Sequence, residues 1–518
     1  MAAKTIMVQG TASHVGKSVL VAALCRIFVQ DGYRVAPFKS QNMALNSFVT
    51  RDGGEMGRAQ VVQAEAACVE PSVDMNPILL KPTGHASSQV VVLGKPVGNL
   101  SAQQYHTDYA PSALDIIEGA LNRLRSTYDI IVIEGAGSPA EVNLQEKEIV
   151  NMRIARMADA PVLLAADIDK GGALAAVVGT LELVSADDRD RVAGVIINKF
   201  RGDLSLFQPA VDFLEGRTGK PVLGVVPYFQ GFRVQEEDTV SEDRSRAEQV
   251  EESGGVEIAV IHIPHISNFT DFDPLEDEPD VRLRYVGRGN RLGKPDLIIL
   301  PGSKNTIEDL AFLNRSGLAA QIVERSRMGT PVIGICGGFQ MLGRELNDPL
   351  HTESEIPRIE GLGLLDTSTT FAPEKVTTQV EAEVAGPGLF LCGAPVSRIT
   401  GYEIHMGRTE LAPGVRHAFA VLVRSGEKVF FQDGAVSRDG LVFGTYIHGI
   451  FDNDVFRRHV VNTLRHKKGL EPLAAGCTMP AQEQRRRDFD RLAAVVRGSL
   501  DMEKIYCLLG LESAAGGR

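Results

Sequence analysis

No uninterrupted apolar run among the 518 residues approaches the ~18 needed to cross a bilayer. The apolar stretch of a secretory signal is missing too, because a glycine loop occupies the place where that stretch would lie. We therefore expect a cytoplasmic protein with no membrane partner. Positive charge is also short. The 54 Lys and Arg against 66 Asp and Glu leave a net charge of −12, which argues against nucleic acid or an anionic surface as the main partner and favours small-molecule substrates. The six cysteines, Cys25, Cys68, Cys336, Cys392, Cys477 and Cys507, form no C-x-x-C pair and no metal-ligand spacing, as fits a reducing compartment. What remains, 44% hydrophobic and 23% charged residues, is the profile of a globular chain long enough for about three domains.

The chain is organised around Gly10-Thr-Ala-Ser-His-Val-Gly16-Lys17-Ser18, between an apolar run at 5–9 and an apolar helical pattern at 19–29. Strand, glycine loop, helix is the order of a phosphate cradle. Backbone N–H groups of the loop, from Gly10, Thr11, Val15 and Gly16, can converge on phosphate at the positive helix end. Lys17 can reach the β/γ-phosphates, and the Ser18 hydroxyl can bind Mg²⁺. The spacing between the two glycines is one residue longer than the standard Walker A pattern, so the loop is expected to bind ATP in a particular subset of such proteins.

Apolar runs at 6–9, 35–38, 130–133, 162–166, 194–198 and 222–226 alternate with helical stretches, the rhythm of a parallel sheet. Ligands of such sheets lie beyond the carboxyl ends of the strands. Glu134 follows one strand directly and is placed to share the Mg²⁺ with Ser18 as a Walker B acid does. Glu141, Glu146 and Glu148 follow; on a helix Glu141 and Glu148 would share a face, and a solvated face is the plain reading, with a second metal or the acceptor as the alternative. Asn198, in Asn198-Lys199-Phe-Arg-Gly-Asp203, resembles the asparagine of loops that contact a nucleotide base.

Residues 235–255 change to Glu, Asp, Ser and Arg and read as a connector. A second α/β pattern follows, with strands at 256–263, 297–300, 332–335 and 441–446. It contains Gly334-Ile-Cys336-Gly-Gly, a cysteine at a strand-to-helix turn, where the helix end favours the thiolate. A lone cysteine is more often a small buried apolar residue; the flanking glycines and His448, after a later strand, reverse that expectation. The expected division is 1–234 for the ATP-dependent domain, 235–255 for the connector, 256–465 for the second domain and 466–518 for a helical extension without assigned chemistry.

The cysteine and histidine motifs, in that order, resemble class I glutamine amidotransferases. The resemblance implies a flavodoxin-like domain in which Cys336 attacks the side-chain amide of L-glutamine and His448 is the general acid/base. Leu300-Pro-Gly-Ser-Lys304 matches the loop that supplies an oxyanion N–H, so Gly302 or Ser303, with the Gly337 amide, are implied as donors. That family usually has a Glu two residues after the histidine; here the position is Ile450, so another group must orient the ring or the site works as a dyad. Together with Lys39-Ser-Gln-Asn-Met-Ala-Leu-Asn46, Glu134-Gly-Ala-Gly-Ser-Pro-Ala-Glu, Asn268-Phe-Thr-Asp-Phe-Asp-Pro274 and Gly401-Tyr-Glu-Ile-His-Met-Gly407, the long-spaced loop resembles the cobyric acid synthase family, with an amino-terminal P-loop domain similar to dethiobiotin synthetase. This implies ATP- and Mg²⁺-dependent amidation of the b, d, e and g carboxylates of a corrinoid, adenosylcobyrinic acid a,c-diamide. Two rivals are cobyrinic acid a,c-diamide synthase, against which the Ser-Gln-Asn-Met and Gly-Ser-Pro-Ala-Glu segments count, and a partitioning-type ATPase switch, which has an additional lysine where this chain has Thr11 and Ala12.

Overall fold

Strands that are apolar on both faces bury both faces, and this requires helices above and below a parallel sheet. In a computed structural model, describing residues 3–82, 87–101, 110–143, 145, 148–229, 255–396, 398–474 and 479–512, the chain builds two such sheets. The first runs in the order Val222–Pro227, Val192–Phe200, Val162–Asp167, Lys4–Gly10, Ile130–Glu134, Val35–Phe38, all parallel. These are the six strands expected from the sequence. The helix Lys17–Gln30 packs its Leu20, Leu24 and Phe28 on that sheet. Beside it, Gln41–Met43, Ile78–Pro82, Ser87–Val92 and Lys95–Ser101 form a smaller sheet.

The second parallel sheet runs Val281–Val286, Val256–Ile261, Leu297–Leu300, Val332–Ile335, Val442–Thr445, with Ala435–Val436 antiparallel at its edge. A further sheet of seven strands, dominated by the long antiparallel pair Thr367–Val384 and Ile399–Leu411, was not anticipated. Its alternating buried and open residues make a one-sided sheet. The pair Ile447–His448 joins that sheet through Tyr402 and Glu403. One short segment therefore leaves the parallel sheet at Thr445 and enters the seven-stranded one at Ile447.

By contacts the chain divides into a unit of Met1–Ala44, Met56–Glu237 and Gln484–Arg518, and a unit of Leu45–Glu55 and Asp238–Glu483. The connector expected at 235–255 lies outside the described residues except for Gly255, as do Glu146 and Cys477. Residues 484–512, set apart within the extension in the sequence, pack into the core of the first unit. Phe489, Leu492, Val496, Ile505 and Tyr506 share one apolar cluster with Leu20, Leu24 and Phe28, and Tyr506 meets Phe28 edge-on at 5.6 Å. The helix Ala481–Ser499 ends against the edge strand, where Asp501 N–H donates to Leu223 C=O at 2.7 Å. An added Cβ on Gly224 would stand 2.0 Å from the Ser499 carbonyl oxygen, with Leu500 2.9 Å away.

Backbone carbonyls cannot yield as a flexible side chain can. Gly224→Ala should lower the stability of the nucleotide-binding unit by about 1–3 kcal/mol, read as a lower denaturation midpoint, while Gly216→Ala, where an added Cβ meets nothing within 4 Å, should leave it unchanged or higher.

Candidate active sites

The phosphate loop follows Lys4–Gly10 and ends in the left-handed Gly16, φ 94°, which caps the helix Lys17–Gln30. The turn needs glycine. Gly10 is bare for a different reason, close packing: its added Cβ would lie 2.6 Å from Val15 Cγ2. Ala12, Ser13 and His14 are open to solvent, whereas Lys17 is buried beneath them, its Nζ donating to Ala12 C=O at 3.2 Å and Gly137 C=O at 3.3 Å. Thr11 N–H is tied to Ala165 C=O at 2.9 Å. Asn198 Nδ2 donates to Val15 C=O at 2.8 Å, and Lys199 Nζ to His14 C=O at 2.6 Å. Both side chains thus hold the loop by its carbonyls.

Glu134 is the focus of this site. Ser18 Oγ donates to its Oε1 at 2.9 Å, Lys39 Nζ lies 3.1 Å from the same oxygen, and Gln63 Nε2 donates to Oε2. Burial alone would raise its pKa; Lys39, then the Gln63 hydrogen bond, Lys17 and Ser18 outweigh that and hold the carboxyl below the usual carboxylate range. An ionised carboxylate beside a serine hydroxyl is a hard-oxygen donor pair suited to a Mg²⁺ that shares its other positions with phosphate. Among the described residues no cluster of three or more His, Cys, Asp or Glu could hold a metal alone. Sequence reasoning missed Lys39 as a partner of Glu134, and missed Gln63 altogether. Glu148 is half-buried, and its carboxylate accepts from the Val150, Asn151 and Met152 N–H groups at the start of Met152–Ala158. The stretch 141–148 is not helical where described, so Glu141 and Glu148 share no helix face.

In the second unit Cys336 follows Val332–Ile335 and opens the short helix Gly337–Leu342 with φ 52°, ψ −110°. A non-glycine residue in that region is strained, and the strain is kept by close packing. An added Cβ on Gly338 would sit 2.1 Å from Leu300 C=O, and one on Gly337 would sit 2.8 Å from Ser303 N. The implied oxyanion donors Gly337 and Ser303 are therefore neighbours, and Gly302 lies against the His448 ring, 3.1 Å from Cε1 to an added Cβ.

His448 is buried and is oriented by Asp271. Its Nδ1 lies 2.7 Å from Asp271 Oδ2, while Asp271 Oδ1 accepts from Gly449 N–H at 3.1 Å. This answers the missing glutamate: Ile450 is wholly buried in the core, and the carboxylate comes from the segment 268–274, far away in the chain. Burial alone would lower the His448 pKa, but Asp271 and Cys336 together push it up to about 10. Nε2 is buried with no hydrogen-bond partner among the described residues. Tyr402 stacks on the imidazole at 5.2 Å and 14°. Thr445 Oγ1 and Tyr446 N–H both donate to buried Asp433, which fixes the strand that delivers the histidine.

Comparison with known proteins gives a family to each of the two units. Residues 6–240 match the CobQ/CobB/MinD/ParA nucleotide binding domain, and residues 257–456 the CobB/CobQ-like glutamine amidotransferase domain. A solved structure described as PurLQS from Thermotoga maritima overlaps 40% of this chain and 99% of its own, at 20% identity and a TM-score of 0.31. Nucleotide loop and cysteine elbow in one chain define a glutamine-hydrolysing amide ligase. Cobyric acid synthase of Pelotomaculum thermopropionicum is 59% identical over 519 residues, 98% of this chain and 97% of that one. That of Moorella thermoacetica is 56% identical over 510 residues, 98% of each. The chain belongs to the cobyric acid synthase family.

A raised histidine pKa means the imidazolium is fully present below the ordinary ~6.5 and is lost only as pH rises through about 10. Asp271→Asn removes the carboxylate that sustains it. The alkaline limb of glutaminase kcat/KM should then move to lower pH, and kcat should fall roughly tenfold or more. An unchanged profile would show that Asp271 does not orient His448.

Proposed function

We propose that this chain amidates the b, d, e and g carboxylates of adenosylcobyrinic acid a,c-diamide, using ATP and L-glutamine, in cobalamin biosynthesis. The observation that carries the reading is the presence, in one chain, of a phosphate loop facing an ionised buried carboxylate and of a Cys336–His448–Asp271 array. A partitioning-type switch has no use for the second site, and the close relatives bear the name cobyric acid synthase rather than that of the a,c-diamide enzyme.

In the glutaminase site, Cys336 Sγ attacks the glutamine side-chain carbonyl while N–H groups at Gly337 and at Gly302 or Ser303 receive the developing oxyanion. His448, held by Asp271, gives its Nε2 proton to the departing nitrogen, so ammonia leaves and a glutamyl thioester remains. Water, deprotonated by the same ring, then releases glutamate and restores the thiol. In the synthetase site, a substrate carboxylate oxygen attacks the γ-phosphorus of ATP, and ADP leaves. Lys17 and the loop N–H groups stabilise the charge on the transferring phosphoryl group. Mg²⁺ held by Ser18 and Glu134 would supply further charge neutralisation there. Ammonia attacks the acyl carbon, the bond to phosphate breaks, and one proton leaves the nitrogen with the departing phosphate. A carboxylate needs this activation because its oxygen is otherwise a poor leaving group.

The two sites divide the work, so they should fail separately. Cys336→Ala should lose glutamine-dependent amidation yet still amidate the corrinoid, followed by mass spectrometry, when ammonium is supplied at a pH that maintains free NH₃. Lys17→Ala should lose amidation from either nitrogen source. Loss of the ammonium reaction in a folded, ATP-binding Cys336→Ala chain would sink the two-site scheme.

A further inference from the structure

Next to Glu134 lies a buried polar stripe. The helix Arg58–Ala66 carries Gln60 and Gln63, three residues apart and therefore on one face, both fully buried. Gln63 commits its Nε2 to Glu134, and its Oε1 has no hydrogen-bond partner among the described residues. Gln60 commits its Oε1 to Asn42 Nδ2 at 2.9 Å, and its Nε2 has none. Neither Gln60 nor Asn42 is loosely packed. An added Cβ on Gly57 would stand 2.5 Å from Asn42 Nδ2 and 3.0 Å from Gln60 Oε1, and Gly57 N–H donates to Asn76 Oδ1 at 3.0 Å.

A buried amide with one end satisfied and the other empty requires an explanation. Here there are two, of opposite kind: one unused donor and one unused acceptor, on the helix face that reaches the carboxylate bonded to Ser18. A carboxylate can take the donor, and ammonia or a primary amide has an N–H for the acceptor. We propose that Gln60 and Gln63 form the subsite for the substrate side-chain carboxyl group undergoing activation. Gln60 Nε2 donates to the carboxyl oxygen that is not phosphorylated, and Gln63 Oε1 accepts an N–H of the entering ammonia, later of the amide. This rests on the amidation reading above and deepens it. Because the subsite reads the reacting group and not the ring that bears it, it serves each peripheral carboxylate in turn.

Gln60→Glu separates this role from a structural one, since it keeps an acceptor for Asn42 while replacing the donor with a charge that repels a carboxylate. Gln60→Met removes both ends at similar volume. With the full chain, MgATP, ammonium chloride and the corrinoid, the KM for the corrinoid should rise about tenfold or more in both variants, and equilibrium titration should show MgATP binding retained. Gln63→Met should additionally raise the KM for ammonium. An unchanged corrinoid KM in the Gln60 variants overturns the subsite, as does a parallel loss of MgATP binding, which would make the stripe part of the nucleotide fold. If the unaltered chain does not amidate the corrinoid with ATP and ammonium, the amidation reading itself falls, and the subsite with it.

Discussion

A carboxylate buried at the end of a central strand has to be matched or neutralised, and Glu134 is matched from every side. Removing one partner of a buried ion pair costs about 3–5 kcal/mol, because the other charge is left uncompensated. Ser18 comes from the start of the phosphate-loop helix, Lys39 from the end of the neighbouring strand Val35–Phe38 and Gln63 from the helix Arg58–Ala66. Three separate elements are thereby locked to one oxygen pair before any ligand arrives. The requirement to keep that charge paired places the loop lysine, the second lysine and the glutamine face around a single point. This is preorganisation by electrostatics: the groups are fixed by the protein's own charge before any ligand binds.

The glutaminase site meets a different constraint with a similar device. Cys336 must sit on a turn that only bare neighbours allow, and Leu300 C=O and Ser303 N approach so closely that Gly337 and Gly338 cannot carry side chains. His448 must then be brought to it from another direction. Asp433 secures Thr445 and Tyr446; Asp271 fixes the ring from the opposite edge; Tyr402 covers its face. Two sheets meet at this histidine, and the short pairing of His448 with Tyr402 is the place where the chain changes from one to the other.

Segments without recognisable chemistry supply much of this support. Residues 45–55 belong to the amidotransferase unit although they lie between strands and helices of the nucleotide unit. Ser47 N–H donates to Asn268, Gln379 donates to Val49 C=O, and buried Glu55 pairs with Lys375. In the same way, the helices after residue 483 complete the core under the phosphate-loop helix.

The local features were legible in the sequence because each is a short-range pattern. Hydrophobic runs of strand length marked all six strands of the first sheet, the Gly16-Lys17-Ser18 ending marked the loop, and glycines around a cysteine marked the elbow at Cys336. The seven-stranded, mostly antiparallel sheet escaped notice because its one-sided strands carry a weaker apolar signal than fully buried parallel ones. Asp271 as the orienting carboxylate, the Lys39 and Gln63 contacts with Glu134, and the placement of residues 45–55 and 484–512 were decided by tertiary structure alone. Residue type and spacing tell which groups can react. Which acid faces which base across 177 residues depends on how buried charges and backbone find partners once the sheets have packed, and no local spacing encodes that.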